Sequence, residues 1–318
     1  MIQALTASLA DQAASLYTGC ALAGETLFSP LSKEEFSRLF LFCKSAEGLA
    51  LADVREGRLL GFVCGSMDGR RGFLNALMVQ SDHRRQGIAR ALIEALCDAL
   101  RARGAETLEI SGDGPIKTNW LIPGTNGHDH NNMPGVDEQS LLSALLPRFG
   151  FRVLNAQVGM YLSLSSYCPP EDLKDRIAHL HEEGIEVGFY APALQYDFDR
   201  LCDRIHSELW RSVLQNELAA PAPRPILAAT VPGFFVGFTG PVDVQKSGHG
   251  WFTGICTDPC YEKRGIATAL FHLLMQAFIR AGASFSTLYT GDANHARRIY
   301  ERTGFTVVKR FLVMRKAL

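Results

Sequence analysis

No apolar run in this 318-residue chain approaches the roughly 20 residues that a helix needs to cross a bilayer. Residues 1–17 also lack the basic start and long apolar core of a secretion signal, so the protein is expected in the cytoplasm and off the membrane. Charge of one sign is missing as well: the formal net charge is -1, which argues against a general nucleic-acid surface. Cysteine is present but unpatterned. Of the eight, Cys256 and Cys260 flank Thr257-Asp258-Pro259, with no second pair to complete a tetrahedral zinc site. Reduced, mostly buried thiols are the expectation. His128-Asp129-His130 could bind a metal but lacks further organised ligands, so it reads as a polar loop and no metal is assigned.

What the chain does have is a repeat. His83-Arg84-Arg85-Gln86-Gly87-Ile88-Ala89 returns as Tyr261-Glu262-Lys263-Arg264-Gly265-Ile266-Ala267, at a constant offset of 178 positions from Leu77/Ile255 through Leu96/Leu274. Each copy follows an apolar strand-like run and opens an amphipathic helix. A glycine turn between strand and helix aims free N–H groups forward, and so makes an anion cradle. Duplication of a unit this size predicts two lobes, 1–165 and 166–318. Apolar content of 47% and charged content of 20% suit ordinary globular packing.

In the first lobe the patterns predict helices at 8–22 and 32–44, the second with capping-box residues Ser32 and Glu35. Strands follow at 48–54, 59–65 and 72–79, then a helix from Gly87 to near Gly104 with Ile88, Leu92, Ala95, Leu96 and Ala99 on its inner face. A strand at 107–110, a short helix at 141–146 and two closing strands within 151–164 complete it. The second lobe predicts a helix at 170–183, a strand at 185–190 and one long helix at 198–218. After a proline-rich loop, strands come at 226–230, 234–239 and 250–257. A helix at 266–281, a strand at 284–289, a helix at 293–302 and a closing strand at 305–314 finish the order. Such an order gives each lobe a mixed α/β (α+β) sheet.

At this point the residues resemble a family. A strand, then Arg/Gln-x-x-Gly-x-Gly/Ala, then a helix, is similar to the acyl-CoA signature of the GNAT superfamily of N-acetyltransferases. Arg84-Arg85-Gln86-Gly87-Ile88-Ala89 fits it fully; the second copy departs at Glu262. Asn294-His295-Ala296-Arg297-Arg298-Ile299-Tyr300-Glu301-Arg302-Thr303-Gly304-Phe305 resembles the family's Asn-x-x-Ala-x-x-x-Tyr-x-x-x-Gly-Phe segment. The resemblance covers most of both lobes and implies two tandem GNAT-like acyl-CoA N-acyltransferase domains with acetyl-CoA (CoA) as cofactor.

It further implies cofactor-binding positions in both copies. These are Leu77, Met78, Val79, Arg84, Arg85, Gln86, Gly87, Ile88, Ala89 and Arg90 in the first. In the second they are Ile255, Cys256, Thr257, Lys263, Arg264, Gly265, Ile266, Ala267, Thr268 and Asn294. Strand N–H groups would bond the pantetheine arm and steady an oxyanion, and Tyr300 would protonate the departing thiol. Tyr300 also reads as a packing residue, and Asn294 equally as a helix cap. Counted from Gly150-Phe151, the first lobe has Leu146 and Ser140 at those two places, and leucine cannot donate a proton. The expectation is therefore catalysis in the second lobe, with a first lobe that binds CoA or is structural. No base stands out; Asp197, His206, Glu208 and Asp258 are the candidates.

The first lobe carries an insertion, Gly112–Ser140, with Trp120-Leu121-Ile122-Pro123-Gly124 inside it. Loops of that length are functional or disordered. The aromatic-Pro-Gly segment resembles one in acetyltransferases attached to sugar-processing enzymes. The resulting expectation is an acetyltransferase acting on a primary amine of a small molecule or peptide, amino sugars included, by direct attack in a ternary complex. The alternatives are a CoA sensor without turnover and an enzyme using another acyl donor or acceptor.

Overall fold

Ser32 and Glu35 do start a helix. Ser32 Oγ accepts from the Glu35 N–H at 3.2 Å while the Glu35 carboxylate accepts from the Ser32 N–H at 2.8 Å, so two end donors are satisfied reciprocally. The computed structural model describes residues 1–43 and 47–318. Helical backbone from Ser32 runs to Leu41, and the last residue of the predicted 32–44 helix lies outside the described residues.

In chain order the first part comprises β1 (Ile2–Ala4), α1 (Ala10–Leu22), α2 (Lys33–Phe36), β2 (Glu47–Arg55), β3 (Arg58–Asp68), β4 (Arg71–Val79) and α3 (Ile88–Arg101). Then come β5 (Thr107–Ile110), β6 (Trp120–Leu121), β7 (Asp129–His130), β8 (Val136–Asp137), α4 (Leu141–Leu145) and β9 (Arg152–Ser163). The rest comprises α5 (Leu173–Glu182), β10 (Glu186–Phe189), α6 (Asp199–Arg204), α7 (Glu208–Leu218), β11 (Leu227–Val231), β12 (Phe234–Gly240), β13 (Asp243–Val244) and β14 (His249–Trp251). It closes with β15 (Gly254–Thr257), α8 (Ile266–Arg280), β16 (Phe285–Gly291), α9 (Arg297–Thr303) and β17 (Thr306–Ala317).

The chain separates into two units, but not by one cut near 165. Unit 1 is Met1–Gly159 with Tyr289–Asp292 and Val307–Leu318; unit 2 is Met160–Leu288 with Ala293–Thr306. The final strand, expected to close the second lobe, groups with the first. There it runs antiparallel to β5, from Met314↔Ile110 to Ala317↔Thr107, and pairs with β8 at Phe311↔Asp137 and Leu312↔Val136. Charge holds it in place. The buried Glu109 carboxylate accepts from Arg71 Nε and an Arg71 terminal nitrogen at 3.1 and 2.8 Å, and from Arg315 Nε at 2.9 Å. Gly135 completes the seat, because a Cβ there would lie 2.5 Å from the Leu312 carbonyl oxygen.

Unit 1 orders its strands β1-β2-β3-β4-β5-β17, antiparallel except for β4 against β5. Its two faces carry separate cores. Tyr17, Phe36, Phe40, Phe62 and Ala76 pack on one side; Val63, Leu74, Ile88, Leu92 and Leu96 pack on the other. A register shift at Asp53/Val54 leaves Leu60 as an extra residue, so Leu60 and Phe62, two positions apart, serve opposite cores. Helix α3 buries Ile88, Leu92, Ile93, Leu96, Cys97 and Leu100, a stripe rotated from the predicted one, in which Ala95 and Ala99 are only partly covered. Each aliphatic side chain buried there is worth up to roughly 1.5–3 kcal/mol, so the start of this helix is held firmly against the sheet.

In unit 2, β10-β11-β12-β15 form one antiparallel sheet, while β14 pairs antiparallel with β13 and parallel with β16. The predicted strand 250–257 is thus two strands, and the predicted pair within 151–164 is the single strand β9. The predicted helix 198–218 breaks at His206, whose φ is 53°, and restarts where Ser207 Oγ accepts from the Trp210 N–H at 3.3 Å. Around α8 packs an aromatic cluster: Phe271 lies 5.7 Å from Phe252, 5.0 Å from Tyr300 and 5.6 Å from Phe305 between ring centroids.

Candidate active site

Both glycine turns adopt one backbone conformation. Arg85 and Gly87 have φ of 60° and 85°; Lys263 and Gly265 have 63° and 89°. Arg84 and Glu262 match as well, at φ/ψ of -70/161° and -62/161°. Glu262 therefore leaves the cradle's shape intact and changes only its charge. Each glycine is the N-cap of a long helix, α3 or α8, and space is open where a Cβ would stand. Four N–H groups at each helix start have no partner inside the helix, and they point toward that space.

The strand before the first turn leaves an edge free. Strand β4 pairs with β5 only over Arg71–Phe73, whereas its other edge pairs with β3 out to Val79. Between Leu74 and Ala76 the β3 register shifts and Asn75 becomes the extra residue of a bulge. The free edge from Leu74 to Val79 borders a cavity of about 1460 Å³ that continues to Gly87. An extended amide-bearing ligand can add to such an edge as another strand would.

The cavity's far wall comes from the insertion. Residues 112–140 are folded: β6 pairs with β7, and β8 pairs with β17. Ile116, Thr118, Met133 and Val136 line the cavity from this segment. Trp120 is not on that wall. It is fully buried, donates Nε1–H to the Asn132 carbonyl at 3.2 Å and meets Phe311 edge-on at 4.9 Å. His130 is also buried and accepts from the Asn132 N–H at 3.1 Å through Nδ1. Among the described residues no group of three or more His, Cys, Asp or Glu could hold a metal.

Of the predicted cofactor residues, Leu77, Met78, Val79, Arg84, Arg85, Gly87, Ile88, Ala89 and Arg90 all line this cavity. Arg84 is already engaged: it donates Nε–H to the Val79 carbonyl at 3.0 Å and pairs with Glu25. That bond keeps the Glu25 carboxyl below its usual range. Burial, with Glu25 beside it, pushes the Cys20 thiol up to about 11. Arg90 stacks on Phe149 at 5.2 Å. Gln86 does not line the cavity; its amide donates to the Asp82 carbonyl at 3.3 Å.

The second set is placed differently. Cys256 is buried in the unit 2 core, and Arg264 pairs with Glu183 at 2.8 Å while lying over Tyr261 at 5.5 Å. Thr257 Oγ1 is buried without a hydrogen-bond partner. Asn294 Oδ1 accepts from the Ala296 N–H at 2.9 Å, a turn-forming contact before α9. Tyr300 is 8% exposed within the phenylalanine cluster, and burial pushes its hydroxyl up to about 12. Its counterpart Leu146 is fully buried too, and both chain segments turn at a left-handed glycine, Gly150 or Gly304. Among the base candidates, Asp258 is buried against Arg204 at 2.6 Å and Glu208 pairs with Arg211 at 3.1 Å. Asp197 caps the Asp199 N–H at 2.7 Å.

The sequence reading missed several residues on the cavity wall. Asn75, Thr118, Met133, Asp137 and Lys309 belong to no motif, and the Gly24–Phe28 segment carries none either. Only the length of the insertion pointed toward part of this wall.

Several solved structures share the whole fold. The glucosamine N-acetyltransferase region of a fungal multi-domain GH3 β-N-acetylglucosaminidase, described as GCN5-related, superposes with a TM-score of 0.72 at 16% identity. The match covers 99% of this chain but only 38% of the fungal one. A GCN5-related N-acetyltransferase from Sphaerobacter thermophilus gives 0.65 at 19% identity, covering 100% of this chain and 95% of that one. A tandem GNAT protein from the clavulanic acid biosynthesis pathway gives 0.59 at 15% identity, covering 100% and 98%. No curated protein matches in sequence. In the described residues no helix is long and apolar enough to cross a membrane. The acetyltransferase (GNAT) family profile matches residues 16–114 and again 190–305, more than half of the chain, and each match contains one of the two cradles; this protein belongs to the acetyltransferase (GNAT) family.

Proposed function

We propose that unit 1 transfers an acetyl group from acetyl-CoA to the primary amine of a small molecule, with both ligands held in its cavity at once. The observation that carries this reading is the cavity of about 1460 Å³ continuous with the Gly87 cradle. That volume exceeds the roughly 300–1,000 Å³ usual for one small ligand. The cofactor fits the residues present. A helix N-terminus opened by a glycine suits a pyrophosphate, and the unpaired edge of Leu77–Val79 suits the pantetheine amides. Acetyl-CoA, when bound, supplies the acetyl group activated as a thioester. Arg84, tied to Val79 and Glu25, fixes the turn while Arg85 and Arg148 supply positive charge beside it. The far wall, made by Ile116, Thr118, Met133 and Val136, shapes the place of the acceptor.

This reading moves the chemistry out of the second lobe, where the sequence had placed it. Tyr300 sits in the aromatic core of unit 2, at the position of the buried Leu146, so we assign it to packing. Amino sugars head the list of acceptors to try, in keeping with the fungal fold relative. The test is release of free CoA thiol across a panel of amines, with Gly87→Val and Gly265→Val compared. A Cβ at a positive-φ turn both strains the backbone and blocks close approach. Gly87→Val should lower turnover by roughly 30-fold or more, while Gly265→Val stays within about threefold. The opposite pattern returns catalysis to unit 2. Tight CoA binding without release on any amine establishes a sensor instead.

A further inference from the structure

We infer that Asp137 and Lys309 together clamp a hydroxyl group of the acceptor, making a polyhydroxylated amine, and an amino sugar above all, the preferred substrate. The inference rests on acyl transfer taking place in the unit 1 cavity. Both residues line that cavity. Their charged ends lie 3.0 Å apart, and each side chain keeps less than a fifth of its surface in solvent, at 17% and 18%. Strand alternation puts them there. The neighbouring residues Glu138, just past β8, and Arg310, on β17, pair with each other, and Arg310 reaches Asp292 as well. Lys309 therefore joins a second, separate pair, which lies on the cavity wall.

The pair is not needed to hold β8 on β17. Phe311↔Asp137 and Leu312↔Val136 are joined through the backbone, and the Glu138 N–H adds a bond to the Arg310 carbonyl at 3.1 Å. A half-buried ion pair of this kind adds little net stability, because partial desolvation offsets much of its attraction. Unused valences remain. Asp137 accepts from Lys309 on Oδ2 and from the Gln139 N–H on Oδ1 at 3.1 Å. Lys309 donates to Asp137 and to Gln139 Oε1 at 3.1 Å, and an ammonium has a third donor. A carboxylate with spare lone pairs beside an ammonium with a spare proton matches one neutral group best. A hydroxyl donates to the first and accepts from the second. A plain alkylamine offers nothing to the ammonium, and a peptide carbonyl offers nothing to the carboxylate.

The experiment compares glucosamine with cyclohexylamine, a ring amine without hydroxyls, on wild type, Lys309→Met and Asp137→Asn. Melting curves check folding, and calorimetry measures CoA and glucosamine binding. In either variant KM for glucosamine should rise roughly tenfold or more, because a bond to a charged group is lost. The values for cyclohexylamine and the Kd for CoA should stay within about threefold. Equal losses on both amines overturn the clamp. So does weaker CoA binding with an unchanged glucosamine KM, which would put the pair on the pantetheine arm. Wild type alone also decides: equal kcat/KM for the two amines overturns the inference even where neither variant folds. Turnover that Gly87→Val removes would leave the acyl-transfer reading standing in that case, whereas no turnover on either amine overturns the clamp and leaves acyl transfer to be decided on the wider amine panel.

Discussion

The two lobes keep the same skeleton and differ in what fills and surrounds it. Gly72 and Gly250 both lie so close to their helices that a Cβ would meet Leu100 at 2.9 Å or Phe278 at 2.6 Å. Gly61 and Gly237 do the same against Ile88 and Ile266, at 3.3 and 3.1 Å. The backbone of the repeat thus keeps its close approaches where side chains diverge, although β4 is one strand and its counterpart is split into β14 and β15. At the same positions unit 1 has Leu74, Ile93, Leu100 and Leu146, and unit 2 has Phe252, Phe271, Phe278 and Tyr300. One lobe spends its space on an aromatic core. The other gains a folded insertion and a last strand from the far end of the chain, and the large cavity lies there. A motif can therefore persist as geometry while its surroundings differ from one lobe to the other.

The sharpest way to break this comparison is to remove the borrowed strand. Deleting 307–318 takes away the partner of β5 and β8 and the Lys309 side of the cavity. Complete loss of cooperative unfolding in unit 1, and of turnover, is expected by calorimetry and thiol release. A truncated chain that keeps the activity would show that unit 1 is complete without it. A smaller perturbation cuts only the charge link. Glu109→Ala leaves Arg315 facing Arg71, which keeps only the exposed Asp113 at 3.3 Å, a loss on the order of 3 kcal/mol in denaturant titration. The pH dependence has a definite sign. Burial raises the Glu109 pKa, but the two arginines outweigh it and the net shift is downward. Its stabilisation is present above the unfolded-state value of about 4.3 and falls away as pH drops through the lower folded value. Glu109→Gln should flatten that acid limb of the stability curve; an unchanged limb removes the residue from this role.

Much of this was legible in the residues. Strands with alternating burial, the capping box at Ser32 and both cradles follow from local rules, because their causes lie within a few positions. The break at His206 was signalled by Ser207, an N-cap overlooked inside an otherwise helical pattern. Partnership was not legible. Thr306–Ala317 carries the same alternation whichever sheet receives it, since periodicity sets the face of a strand and not its neighbour. What fixes its place is long-range: Arg315 needs Glu109, and Gly135 makes room for Leu312. For the same reason Asp137 and Lys309, far apart in sequence, carried no visible motif.

The smallest expected effect tests the assignment of Tyr300 to packing. Were Tyr300 the proton donor, Tyr300→Phe would cost turnover in the range of roughly 10²–10⁴ that a positioned acid supplies. It packs against Phe271 and Phe305 and is pushed up to about 12 by burial, and on the proposed reading it is the unit 2 counterpart of Leu146. The change to phenylalanine keeps the ring and removes one oxygen from an aromatic surrounding. Turnover should stay within about threefold and the melting point should move little, as for a near-isosteric core swap. The reciprocal variant sharpens the point. Leu146→Tyr brings a larger side chain into a fully buried site and should destabilise unit 1 by about 1–3 kcal/mol without raising its turnover. A gain in rate from that tyrosine would mean that the position does face the chemistry, and would overturn the packing assignment of Tyr300.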